Sequence, residues 1–182
     1  FCNVSPEAVV QSVDADTIYR VPLLMHSQGM DEIVLRKMDI EPAGEPDLHD
    51  WTDFLARMGA ATRELNIGLV GKYAELQDAY KSINESLHQA ATYCDHKLNL
   101  TYIHSEKLTD ANVDERLRDL DGVIVAPGFG QRGIDGKFVA LRWCRENDMP
   151  TFGICLGMQC MVIEFARNVL GLDDANSTEM NP

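Results

Sequence analysis

Thr151-Phe152-Gly153-Ile154-Cys155-Leu156-Gly157 is the stretch on which the reading of this chain turns. Pro150 precedes it, and a run with helical apolar spacing, Leu156 to Leu170, follows and stops at Gly171. Four apolar or small residues predict a short strand, and the longer run predicts a helix. The heptapeptide therefore reads as strand, sharp turn and helix start, with Cys155 at the turn. A Gly-x-nucleophile-x-Gly turn of this kind lifts its central side chain out of the sheet edge.

Reading outward, the same alternation recurs. Gly122-Val123-Ile124-Val125-Ala126 predicts a buried strand that runs into Pro127-Gly128-Phe129-Gly130, and Ile134 to Asn147 predicts a helix. Further upstream, Asn66 to Gly71 predicts a buried parallel strand, Gln77 to Cys94 a helix, Leu98 to Ile103 a strand and Val113 to Leu120 a short helix. Strand and helix alternating in this way predict an α/β fold, a parallel sheet with helices on both faces. Ligands of such sheets bind beyond the carboxyl ends of the strands. Two glycine-containing loops, 127–133 and 153–157, fall at such ends.

The first 65 residues have a different character. Ser5-Pro6-Glu7 predicts a helix start, and Val21 to Gln28 and Asp31 to Met38 predict two short helices broken by Gly29. Residues 1–40 have too few periodic apolar positions to build a core and read as the end of something larger. Glu41 to Asp47, with two prolines, a glycine and three acids, has linker composition. A helix from Leu48 to Ala61 follows, with Trp51, Phe54, Leu55 and Met58 on one face. The expected organisation is 1–40, a linker with a helix at 41–65, and the α/β domain from 66 to 182.

Composition narrows the function. The chain has 182 residues and a net charge of −13, from 16 basic and 29 acidic residues, which opposes binding to a nucleic-acid backbone. A nucleotide needs only a local pocket and is not excluded. No apolar stretch reaches the length of a membrane helix, and no secretory signal is visible. The five cysteines form no CxxC pair, which fits reduced thiols in a cytoplasmic protein rather than a zinc site or a disulfide framework.

The chemistry centres on Cys155. A helix N-terminus beneath a sulfur favours the thiolate, the reactive form of cysteine. The N–H of Leu156 would face an oxyanion formed by attack, and the backbone at Gly128 can supply a second donor. Against this stands the ordinary fate of a cytosolic cysteine, a small buried hydrophobe. Gln159 lies one helical turn after Cys155 and can hydrogen-bond a substrate, although a helix glutamine is more often solvated. Glu179, in Asn176-Ser177-Thr178-Glu179, can recognise a cationic amino group, although an exposed acid is the default. A dinucleotide fingerprint is absent, and Gly71-Lys72-Tyr73 lacks the rest of a phosphate loop. A cysteine nucleophile generally needs a base, most often histidine. Of His26, His49, His88, His96 and His104, none follows Cys155, and His104, just after a strand, is the best placed.

Gly153-Ile154-Cys155-Leu156-Gly157-Met158-Gln159 resembles the nucleophile motif of the class I (triad) glutamine amidotransferases, whose fold is flavodoxin-like. Gly71-Lys72-Tyr73, Leu76 to Ser82, Pro127 to Gly133 with Gly136-Lys137, and Ala175 to Glu179 are similar to segments of the glutaminase domain in the CTP synthase family. Phe1 to Val4, Asp14 to Pro22 and Ser27-Gln28-Gly29 resemble the last part of that family's synthetase domain, so the resemblance runs the whole chain in order.

The resemblance implies ATP-dependent amination of UTP to CTP, with Mg2+, using ammonia released from L-glutamine. It implies that Cys155 is the nucleophile and that Gly128 and Leu156 are the oxyanion donors. It places glutamine against Gly128, Leu156, Gly157, Met158, Gln159 and Glu179, and puts Arg132, Gly133 and Asp135 in a lid linked to activation by GTP. Phe1, Val13, Asp14 and Ala15 match nucleotide-site positions. CTP as feedback inhibitor, a homotetramer of the full-length enzyme and a cytoplasmic location also follow from it, and no metal ligand is expected in these residues. Pro127 stands where the family often has glycine, but the matched donor is Gly128. The family's catalytic His and Glu lie well downstream of the nucleophile, and its phosphate loop and magnesium ligands lie upstream of Phe1. The expectation is a partial sequence of a longer enzyme, inactive in isolation. The alternatives are a cysteine-centred α/β hydrolase, which would need His and Asp after the nucleophile, and a non-catalytic nucleotide-responsive module.

Overall fold

A computed structural model describes residues 3–181, the side chain of Gln77 excepted. The chain divides into two compact units, Phe1–Ala60 and Ala61–Pro182.

The first unit is helical. A 3₁₀ turn at Pro6–Ala8 stands where Ser5-Pro6 predicts a helix start, and the Ser5 side chain makes no capping bond. Helices α1 (Val21–Ser27) and α2 (Met30–Lys37) are separated by Gly29, whose φ of 68° is the left-handed conformation that breaks the run. Helix α3 (His49–Ala60) follows the Pro-rich stretch. Its apolar face meets Tyr19: the Phe54 ring packs edge-on at 5.0 Å, and the Trp51 indole N–H donates to the Tyr19 carbonyl. Leu55 is the one buried hydrophobic among the described residues of this unit, in line with its sparse apolar periodicity.

The second unit is the α/β domain. Strands β1 (Arg63–Gly71), β2 (His96–His104), β3 (Gly122–Val125) and β4 (Thr151–Gly153) form one sheet in the order β2-β1-β3-β4. Every pairing is parallel. Strands β1 and β2 extend beyond the apolar runs that predict them, because Arg63 and Glu64 pair with His96 and Lys97 through backbone alone. The helices are α4 (Lys81–Tyr93), α5 (Val113–Leu117), α6 (Ile134–Glu146) and α7 (Leu156–Asn168). A 3₁₀ turn, Gln77–Tyr80, leads into α4 where the apolar pattern predicts continuous helix.

Strand alternation builds two cores. Val70, Val123 and Val125 pack with residues of α5, α6 and α7, including Leu117, Ala140, Leu141, Cys160 and Ile163. Leu69 and Ala126 pack on the other face with Tyr80, Ile83 of α4 and Ile124. Both faces of the sheet are thus covered, as the βα alternation requires. Register sets the level of the loops: Val70 pairs with Val125, and Val125 with Gly153. Lys72, the 127–130 loop and Cys155 therefore leave the sheet side by side at its carboxyl edge. Among the described residues no helix is long and apolar enough to cross a membrane.

Candidate active site

The turn after β4 is built by two glycines and one strained residue. The Ile154 N–H donates to the Val125 carbonyl at 3.0 Å, keeping the chain on the sheet for one more residue. Cys155 then adopts φ 52° and ψ −109°, outside the regions open to residues with a Cβ. The chain reverses at once into α7. A Cβ on Gly157 would lie 2.1 Å from the Val125 carbonyl oxygen, and one on Gly153 would lie 2.6 Å from the Gly157 carbonyl carbon. Helix and strand pack in direct backbone contact there, which only glycine permits. The result is an exposed, free Cys155 thiol on the N-terminal end of a 13-residue helix.

The 127–130 loop lies against this turn. A Cβ on Gly128 would be 3.7 Å from Leu156 Cδ2, so the two expected oxyanion donors stand together. The loop is held from three sides. Lys72 Nζ donates to the Phe129 carbonyl at 2.6 Å, Gln131 Nε2 to the Met180 carbonyl at 2.8 Å, and Lys137 Nζ to the Ala126 carbonyl at 2.7 Å.

Gln159 and Glu179 meet although twenty residues separate them. Gln159 Nε2 donates to Glu179 Oε2 at 2.9 Å, while the Ser177 hydroxyl donates to Gln159 Oε1 at 2.5 Å. Buried Met180 and the bond from Arg167 Nε to the Ala175 carbonyl (2.7 Å) tie this segment back to α7. Gly157 and Met158 occupy the first turn of α7, the former buried and the latter exposed.

Arg132 lies beyond the 127–130 loop. Its Nη1 bonds Glu106 Oε1 at 2.7 Å, and its guanidinium sits 5.3 Å from the centre of the Tyr73 ring, a cation–π contact that Lys72 makes at 5.4 Å. Gly133, with φ 78°, opens α6, and Asp135 lies in its first turn. Val13 and Asp14 are exposed in the other unit and Ala15 is half-buried. Phe1 lies outside the described residues.

His104, the best-placed histidine by sequence, is not near Cys155. It ends β2, three strand spacings from β4, which is about 14 Å. Its Nδ1 instead accepts from the Glu106 N–H at 3.3 Å. His88 and His96 lie on α4 and β2, on the same far side of the sheet. The placement has a simple cause: β1 and β3 come between β2 and β4 in the parallel order. Among the described residues, no cluster of three or more His, Cys, Asp or Glu side chains can hold a metal ion.

Lys72, Gln131, Ser177 and Lys137 are the site residues that motif reading did not assign. All four lie within the family-similar segments, and one of them also leaves a trace in the helical periodicity. Lys137 falls on the apolar stripe of α6, between Ile134 and Ala140-Leu141, where a charge is out of place.

A strained cysteine between two glycines, at the carboxyl edge of a parallel sheet and facing a glycine loop, has the geometry of a nucleophile elbow. The family model described as "Glutamine amidotransferase class-I" matches residues 75–181, and the chain belongs to that family. A second model, "CTP synthase N-terminus", matches residues 1–40. Over its whole length the chain is similar to CTP synthases. It is 61% identical over 180 residues to that of Porphyromonas gingivalis, covering 99% of this chain and 33% of the relative. It is 62% identical over 181 residues to that of Bacteroides fragilis, covering 100% of this chain and 34% of the relative. The chain thus spans about a third of the length of these curated relatives. The glutaminase domain of Trypanosoma brucei CTPS, solved with bound acivicin, superposes with a TM-score of 0.57 at 42% identity, over 64% of this chain and 46% of that one.

Proposed function

We propose that this chain carries the glutaminase nucleophile of a CTP synthase, together with the end of the synthetase domain that uses the ammonia. The observation that carries the proposal is the elbow at Cys155 with the Gly128 loop set against Leu156. The whole-length similarity to CTP synthases supplies the reaction.

In this reading the Cys155 thiolate attacks the carboxamide carbon of L-glutamine. A C–S bond forms, and the carbonyl π electrons move to oxygen, which the N–H groups of Gly128 and Leu156 stabilise. Collapse breaks the C–N bond, and the nitrogen leaves with a transferred proton as ammonia. Water then cleaves the thioester to give glutamate and the free thiol. The proton carrier is a residue beyond those placed around Cys155, because the histidines of this unit sit across the sheet. Gln159, Glu179, Gly157 and Met158 hold the substrate. The Gln159–Glu179 pair stands in for contacts that the substrate's amino and amide groups would take over.

The synthetase reaction, amination of UTP with ATP and Mg2+, belongs to the longer protein. Phe1, Val13, Asp14 and Ala15 are assigned to its nucleotide sites. Arg132, Gly133 and Asp135 are assigned to a GTP-responsive lid. Feedback by CTP, a homotetrameric assembly and a cytoplasmic location complete the proposal. The domain division proposed is a synthetase end at 1–40, a linker at 41–65 and the amidotransferase domain from 66. Neither a cysteine-centred hydrolase nor a non-catalytic module is favoured by the matches to residues 1–40 and 75–181.

A glutamine-analogue electrophile, incubated with the full-length protein, should add its mass to the peptide containing Cys155, and Cys155→Ser should abolish ammonia release. Labelling at another residue, or ammonia release that survives the substitution, would overturn the assignment.

A further inference from the structure

Lys137 is the only lysine or arginine among the described buried residues, and it is 2% exposed. Its ammonium has three N–H donors, and one of them bonds the Ala126 carbonyl, at the end of β3. Ala126 in turn donates its N–H to the Val70 carbonyl at 2.9 Å, so the residue is held at both its N–H and its carbonyl. Two residues further on is Gly128, and a Cβ there would lie 3.9 Å from Lys137 Nζ. The charged head is therefore beneath the expected oxyanion loop. The titratable groups facing it are Cys160 and Cys155 from α7 and its cap, and Lys72 from the end of β1. Beyond Cys160 lies Glu179, from the segment after α7. Burial and Lys72 pull the lysine's pKa down, while the two cysteines push it up.

A buried ammonium with so few partners is costly, and an apolar side chain of the same volume would serve packing better. We propose that Lys137 is a positioning residue for the Cys155 chemistry: it pins the Ala126 carbonyl at the point where the chain enters the Gly128 loop, and it places a desolvated positive charge behind the nucleophile and its oxyanion. The part concerning the oxyanion rests on the glutaminase reading; the part concerning the thiolate does not.

The test uses the full-length protein with Lys137→Met, which keeps the length and removes the charge. Lys137→Gln is the second variant, and circular dichroism confirms folding of each. Iodoacetamide incorporation at the Cys155 peptide is followed by mass spectrometry from pH 5 to 10, alongside kcat and KM for glutamine hydrolysis. Cys94, the other exposed free thiol among the described residues, serves as the internal control. Expected in both variants are Cys155 alkylation slowed roughly tenfold at pH 7, a pH–rate profile displaced to higher pH, and unchanged Cys94 alkylation. The kcat should fall at least tenfold with KM changed less than threefold. Folded variants whose Cys155 profile matches the parent's would overturn the proposal and leave Lys137 a merely structural residue. The failure of the glutaminase reading is separately visible: it is parent protein that alkylates at Cys155 but releases no ammonia.

Discussion

The conformation of Cys155 is the most telling single-residue feature. A side chain held at φ 52° and ψ −109° stores strain, and that strain aims the thiol out of the sheet edge. Stability and function should therefore separate at this position. Cys155→Ala keeps a Cβ and the strain, and its unfolding free energy should stay near the parent's. Cys155→Gly relieves the strain and should be more stable by about 1 kcal/mol, read as a higher urea midpoint, although both variants lose the thiol. A glycine variant less stable than the alanine variant would show that the turn is relaxed. The flanking Gly153 and Gly157 belong to the same device, since it is their missing side chains that let α7 start against Val125.

Between elements, the α6–α7 contact is clamped by a partly buried ion pair. Glu164 accepts from Arg145 Nε at 3.1 Å and Nη2 at 2.8 Å, and from Asn168 Nδ2 at 3.0 Å, with only 4% of its side chain exposed. Glu164→Ala leaves a guanidinium facing an emptied site and should cost about 3 kcal/mol, measured by chemical denaturation. The buried thiols of α6 and α7 make a second, pH-dependent contribution. Burial raises the pKa of Cys144 and of Cys160 above the ordinary thiol value. The folded chain keeps these protons when the unfolded chain has lost them. Their contribution is thus complete below the unfolded thiol pKa of about 8.5 and is lost as pH rises towards the folded values. Lys137 has the opposite sign: burial depresses its pKa, so the unfolded chain binds more protons below about 10.4 and stability gains as pH rises. Urea midpoints between pH 8 and 10 should fall more steeply for Lys137→Met than for the parent. An equal or shallower decline would contradict the assigned signs.

At the scale of the whole molecule, the two units differ in how they are held together. The unit from Ala61 onward has an extensive buried core on both sheet faces, whereas the unit ending at Ala60 has Leu55 alone among its described hydrophobics. Local opening should follow that difference. Limited proteolysis of the 182-residue chain should cut first within residues 3–60 and leave a resistant product beginning near Ala61. Early cuts inside β1 to α7 would show the reverse order of stability. The α/β unit also presents an apolar surface: Phe152 and Val162 are each 63% exposed, with Met158 and Phe165 on the same helix as Val162.

The parallel α/β class, the strand ends that carry the site and the Cys155 elbow are all readable along the chain, because each rests on local spacing: apolar runs of strand length, helical periodicity and glycines two residues either side of a nucleophile. The linker composition at 41–47 and the break at Gly29 are local in the same sense. Three matters depended on the tertiary structure. His104 stands across the sheet from Cys155, because the order β2-β1-β3-β4 interposes two strands that linear distance does not reveal. Gln159 and Glu179 come together through the fold-back of the segment after α7, a long-range contact without a local signature. The place of Lys137 was decided by packing: its position on an apolar stripe is visible in the sequence, but only the closing of α6 onto β3 buries its charge behind the 127–130 loop. Periodicity is a property of neighbours along the chain, whereas charge burial and site assembly are properties of neighbours in space.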